Sequence, residues 1–121
     1  MKSRAYLIIS VISMMLLTVS CGKQYHAEKA VKAFVEANAK NPETMTKRDF
    51  ADVGTTRHIS DSLISVMRQR GAELFKKDIS YPEIAPEGDL YYLRMKYIHD
   101  GDTLQNTFYL NQELTEVVAF K

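Results

Sequence analysis

Side chains able to act as nucleophiles or metal ligands are scarce in this sequence. The one Cys is Cys21, and the three His are His26, His58 and His99. No two of these stand at HExxH spacing, and a lone Cys can build neither an internal disulfide nor a Cys-rich zinc site. His58, Ser60 and Asp61 hold the atoms of an acyl-transfer set. However, no GxSxG elbow surrounds Ser60, and Ser60 with Asp61 fits the start of a helix. Asp100 and Asp102 could offer carboxylates to a calcium ion, but the remainder of a twelve-residue calcium loop is missing. There is no Gly-rich phosphate loop and no dinucleotide fingerprint. The expectation is a protein that is not an enzyme, with no catalytic residue, no metal site and no cofactor.

The aromatic residues are more informative. Tyr91, Tyr92, Tyr97, Phe108, Tyr109 and Phe120 fall in the last third of the chain, among segments that alternate like strands. Alternation sends Tyr91, Leu93, Met95, Tyr97, Leu104, Phe108 and Leu110 to one face. Tyr92, Arg94, Lys96 and Tyr109 go to the other, where Tyr beside Arg and Lys makes a candidate interaction surface.

Cys21 gains meaning from what precedes it. Lys2 and Arg4 form a basic leader, and residues 5–19 are an apolar run broken only by Ser10, Ser13 and Thr18. This run is short for a bilayer span, which needs about 20 residues, and suits a secretory signal peptide. Thr18-Val19-Ser20-Cys21 resembles a bacterial lipobox, with Thr18 where Leu is usual. The resemblance implies cleavage before Cys21, a diacylglyceryl group on its sulfur, and a further acyl chain of the palmitate type on its amino group. Two or three chains at about 0.8 kcal/mol per buried CH2 would anchor the protein stably. Gly22 follows, with neither the Asp of inner-membrane retention nor an acidic surface-export cluster. The implied location is a bacterial cell envelope, on the outer membrane and facing the periplasm.

The domain organisation expected is a signal peptide over 1–20 and a single small α+β domain over 21–121. The 121 residues carry 16 basic and 15 acidic side chains, and loss of Lys2 and Arg4 leaves the domain at net −1. That balance argues against nucleic acid as a partner.

The elements that would position these residues follow from periodicity. Lys29–Ala39 reads as a helix, with Ala27, Ala30, Val31, Phe34 and Val35 on its apolar side and Asn41-Pro42 stopping it. Glu28, Lys32 and Glu36 are spaced for i,i+4 ion pairs. Residues 42–47 read as irregular, and 50–59 as a strand with Gly54 at a bulge or bend. Asp61–Arg70 reads as a second helix, capped by Ser60 and Gly71, with Leu63, Ile64 and Met67 inward. Residues 72–80 fit either a helical turn or a strand, and 81–88 a loop. Leu90–His99, Thr103–Leu110 and Leu114–Lys121 read as three strands, with Asp100-Gly101 and Asn111-Gln112-Glu113 as turns. The fold class is α+β, with one or two N-terminal helices packed on an antiparallel meander of three to four strands and the helix pair covering one face.

The Cys21 leader, the helix ending in Asn41-Pro42-Glu43-Thr44 and the C-terminal meander together resemble small single-domain lipoproteins of unknown function from gut Bacteroidetes. That likeness transfers no ligand and no catalytic residue. The leading functional expectation is a membrane-anchored, non-enzymatic interaction or accessory module. Its partners would be the membrane, through the N-terminal lipid, and an envelope protein or a second copy at the sheet edge. Alternatives are a small-ligand or glycan-binding lipoprotein, and a small enzyme of a cone-shaped helix-plus-sheet fold such as nuclear transport factor 2-like proteins.

Overall fold

The computed structural model of the chain describes residues 22–57, 59–83 and 88–121. The leader, Cys21, His58 and part of the 81–88 loop lie outside these residues. Helix α1 spans 22–38, so it is helical from the first described residue rather than from Lys29. Its buried stripe is Ala27, Val31, Phe34 and Val35. The expected ladder of ion pairs along α1 does not form. Glu36 instead meets Arg48 at 3.3 Å, and Lys32 stands over the Phe50 ring at 5.6 Å. Arg48 can take Glu36 because it is already fixed on the carbonyls of Met45 and Pro42.

Beyond α1, Pro42–Thr44 forms a 3-10 turn, and strand β1 follows at once over Thr46–Phe50. Strand β2 covers Gly54–Thr56. The irregular stretch and the single strand expected between 42 and 59 are thus replaced by a strand in two pieces. Both pieces pair antiparallel with strand β3, Leu90–His99. Their alternation was weak in the sequence because they form an edge, with only partial burial on either side.

Helix α2 occupies Asp61–Arg70. The Ser60 hydroxyl accepts a bond from the Leu63 N–H at 3.2 Å, and Gly71 takes the left-handed φ of 58° at the other end. Ile64 and Met67 are buried, whereas Leu63, expected inward, is 50% exposed. Residues 72–80 form neither a helix nor a strand. They are pinned to the end of α1 by Lys40 N–H on the Leu74 carbonyl and Lys76 N–H on the Asn38 carbonyl, with Phe75 bridging Ala39.

Strands β4 (Asp102–Leu110) and β5 (Val117–Phe120) complete a five-stranded sheet in which β1 and β2 share one side of β3, and β4 and β5 follow on the other. The β3–β4 hairpin keeps unbroken register from Tyr91↔Leu110 to His99↔Asp102. Asp100 and Gly101 supply the two positive φ values, 49° and 80°, that a tight hairpin turn requires.

This register settles the layers. Leu93, Met95, Phe108 and Leu110 cluster with α1, and the rings of Phe34, Phe75, Phe108 and Phe120 meet at centroid distances of 4.5–6.3 Å. Ile64 and Met67 of α2 cluster instead with Leu90, Val118 and Ala119. Leu90 lies on the opposite face of β3 from Leu93, so the two helices cover opposite faces, not one face as a pair. A register shift between Tyr109 and Leu110 inserts Val118 as an extra residue in β5, so Val117 and Phe120 join the α1 cluster while Val118 and Ala119 join the α2 cluster, and all four are buried. Among the described residues no helix is long and apolar enough to cross a membrane.

Both outer edges of the sheet are obstructed. On β5, Arg68 donates to the Val118 carbonyl at 2.8 Å and to the Pro82 carbonyl at 2.9 Å while stacking on Tyr81 at 4.6 Å. Burial at this contact lowers the Arg68 pKa and raises that of Tyr81. On the other side, a register shift in β1 and a positive φ at Lys47 break the line of pairing groups.

Tyr97 supplies a test of core packing. Its hydroxyl donates to the buried Asn106 Oδ1 at 2.5 Å, and burial raises its pKa above the ordinary 10.0. A raised phenol favours the folded state below the ordinary value, and that contribution declines as pH rises above it through the folded value. Stability measured by denaturant titration should therefore fall above pH 10. Tyr97→Phe should lower stability by about 1 kcal/mol at pH 7 and flatten the alkaline decline. An unchanged alkaline slope in the variant would contradict the burial of this phenol.

Candidate functional site

The candidate site is built by the β3–β4 register. Tyr92 and Tyr109 are direct cross-strand partners, and Arg94 stands opposite Thr107. Lys121 exchanges both backbone bonds with Thr107, at 2.8 and 3.0 Å, which brings the end of the β5 segment beside Arg94 and Tyr109. Thr55, Thr56 and Arg57, in and just after β2, close the other side. Together these residues surround an open concavity of about 460 Å³.

Three cationic side chains, Arg57, Arg94 and Lys121, line it, and among the described residues no carboxylate side chain does. All three residues are exposed, and none has a carboxylate partner within ion-pair distance among the described residues. The hydroxyls of Thr55, Thr56, Thr107, Tyr92 and Tyr109 add donors and acceptors around the same space. The arrangement can hold an anionic group by charge and orient neighbouring hydroxyls by hydrogen bonding.

The two tyrosines are half-buried walls, not free rings. Tyr92 pairs with Gly54, and a Cβ on Gly54 would lie 2.6 Å from the Tyr92 ring. The ring thus occupies the space above the glycine, while the Arg94 guanidinium stacks on it at 5.3 Å. The bulge or bend expected at Gly54 is in fact this close approach. Tyr109 packs against the α2 cluster. Lys96 does not join the site. It is exposed two positions further along β3, opposite Asp49 and Gln105. Cys21 lies outside the described residues.

The other polar clusters are placed as follows. Ser60 is engaged in capping, and His58 lies outside the described residues. His99 Nε2 meets Asp100 Oδ2 at 3.3 Å beside a shallow concavity that also includes Asp102 and Glu73. Among the described residues no group of three or more His, Cys, Asp or Glu side chains could hold a metal ion.

Arg57, Thr107 and Lys121 were not singled out by the sequence reading. Their membership depends on which strand pairs with which, and only β3–β4 is joined by a turn short enough to fix its register locally.

Gly54→Val should force the Tyr92 ring away and destabilise the domain by about 1–3 kcal/mol, the usual range for overpacking. Tyr92→Ala should cost about 1–2 kcal/mol, from the lost cross-strand pair and partial burial. Denaturant melts of both variants measure this, and a wild-type melt for Gly54→Val would refute the contact. No family model, characterised protein sequence or solved structure matches this chain.

Proposed function

We propose that this chain is a lipid-anchored protein of the bacterial cell envelope that binds an acidic, hydroxyl-rich ligand, such as a uronic-acid glycan, on its open sheet face and performs no chemistry on it. The observation that carries the reading is the concavity lined by Arg57, Arg94 and Lys121, with tyrosine and threonine hydroxyls around it and, among the described residues, no carboxylate side chain. An acidic sugar would supply the missing negative charge and use the hydroxyl lining, while the half-buried tyrosines give a rigid wall.

The anchor rests on Thr18-Val19-Ser20-Cys21. Residue 22 is already helical, so a lipid on Cys21 would hold the domain close to the membrane. The outer membrane, with the domain toward the periplasm, is the location we infer from Gly22 and the absence of an acidic cluster after Cys21.

A second reading, an accessory module that contacts an envelope protein, is favoured by one observation. Leu63 and Val66 stand one turn apart on α2 and are 50% and 46% exposed. With both sheet edges obstructed, a protein or a second copy would meet this face of α2 more readily than an edge strand.

Two measurements test the proposal. The intact mass of protein extracted from membranes should exceed the chain from Cys21 onward by two or three acyl chains, and Cys21→Ser should abolish the increment. By calorimetry, an oligogalacturonate should bind and its neutral galactose counterpart should not. Arg94→Gln should weaken binding by about tenfold, the loss of one charge-assisted contact. Equal binding of the neutral sugar, or an unmodified mass, would contradict the corresponding half of the proposal.

A further inference from the structure

A second cationic concavity lies away from the sheet face, where the ends of both helices converge. It measures about 710 Å³ and is enclosed by Lys40 after α1, Arg68 and Arg70 at the end of α2, and Lys76 and Lys77 in the 72–80 segment. Glu73 is the one acidic residue in its lining among the described residues, and the half-buried Ala72 and Ile79 give it an apolar floor, with Phe75 buried behind them. Five cations against one carboxylate put +4 here, on a chain whose total is +1. The charge is therefore concentrated at this spot and not a consequence of overall composition.

Part of that charge is explained by the fold. Arg68 holds the β5 edge through the Val118 and Pro82 carbonyls, and Lys76 Nζ donates to the Ala37 carbonyl near the end of α1 at 3.3 Å. The helix dipole also favours cations at helix C-termini, where Arg68 and Arg70 end α2. Lys40, Arg70 and Lys77 tie no part of the fold by a side-chain hydrogen bond among the described residues. Each is exposed, lines the concavity, and has no carboxylate within ion-pair distance among the described residues. Three like charges around one space repel one another, and a multivalent anion relieves that repulsion.

We infer that this groove is a binding site for a soluble phosphorylated small molecule, with the phosphate held by Lys40, Arg70 and Lys77 and an apolar portion set on Ala72 and Ile79. Lysine ammonium groups suit phosphate as point charges, and the Arg70 guanidinium can grip two of its oxygens at once. The choice of a soluble ester over a lipid headgroup rests on the anchor proposed at Cys21. The groove opens at the far end of α1, some 16 residues or about 24 Å along the helix from residue 22. Intact mass tests that anchor separately, so its failure is distinguishable from failure of phosphate binding.

The test is calorimetry on the full protein extracted from membranes, with inorganic pyrophosphate as probe and vesicles containing phosphatidic acid in phosphatidylcholine as the competing source. Pyrophosphate should bind, more weakly as salt is raised. The Lys40→Gln/Lys77→Gln pair should weaken binding at least tenfold, whereas Lys23→Gln/Lys29→Gln, with the same loss of charge at the other end of α1, should leave it unchanged. All four positions are exposed, and Lys23 alone among them stands over a ring, that of Tyr91 at 5.8 Å, so both variants should melt close to the parent. Absence of pyrophosphate binding, an equal loss in both variants, or binding to the vesicles alone would overturn the inference.

Discussion

The structure depends on one contact set, the four-ring cluster of Phe34, Phe75, Phe108 and Phe120. These rings come from α1, the 72–80 segment, β4 and β5, and their closest pair, Phe75–Phe120, lies at 4.5 Å. Aromatic pairs contribute about 0.5–1.5 kcal/mol beyond the area they bury, and here six pairings share four side chains. Phe75 is 1% exposed although its segment has no helix or strand of its own. Its burial, together with the backbone bonds to Asn38 and Leu74, gives residues 72–80 a fixed path. The groove lined by Lys40, Arg70 and Lys77 owes its shape to that path.

The second organising constraint is the two-residue period of the β3–β4 hairpin. It commits odd-numbered β3 residues from Leu93 to Tyr97 to the core and sends Tyr92 and Arg94 to the far face. Helix α2 covers only part of that face, through Leu90, Val118 and Ala119. What remains open is the concavity around Arg57, Arg94 and Lys121. Arg68 belongs to the same logic. Its guanidinium ties α2, the 81–83 stretch and the β5 edge together, so it is committed to structure in a way the open-face cations are not.

Much of this was legible in the sequence, and the limits have physical causes. Helix α2 was readable to the residue, because Ser60 and Gly71 are local signals that need no tertiary partner. The β3–β4 hairpin was readable because Asp100-Gly101 fixes its register and its faces alternate cleanly. Tyr92, Arg94 and Tyr109 therefore share one face of the sheet, as alternation implies, and Lys96, on the same face, lies too far along the strand to join them. The β1–β2 edge was obscured because an edge strand is half-solvated and its alternation is diluted by Lys47, Arg48 and Asp49. Periodicity also identified the apolar residues of α2 without revealing which side of the sheet would receive them. Placing α2 with α1 on one face was the reasonable default, and the Val118 bulge in β5, invisible in the sequence, helps to create the apolar patch that draws α2 to the other side. The groove at the helix ends combines residues 40 and 68–79, whose proximity is set by the Phe75 cluster and not by any local pattern.

The central claim is that the open-face cations serve a ligand and not the fold. It is tested most directly by the thermal stability of an Arg57→Gln/Arg94→Gln/Lys121→Gln variant without ligand. Removing three cations that have no carboxylate partner relieves repulsion and forfeits only the Arg94–Tyr92 stacking. The account therefore predicts a stability within about 1 kcal/mol of the parent. A loss of several kcal/mol would mean that these charges hold the domain together, and the concavity would lose its claim to be a binding site.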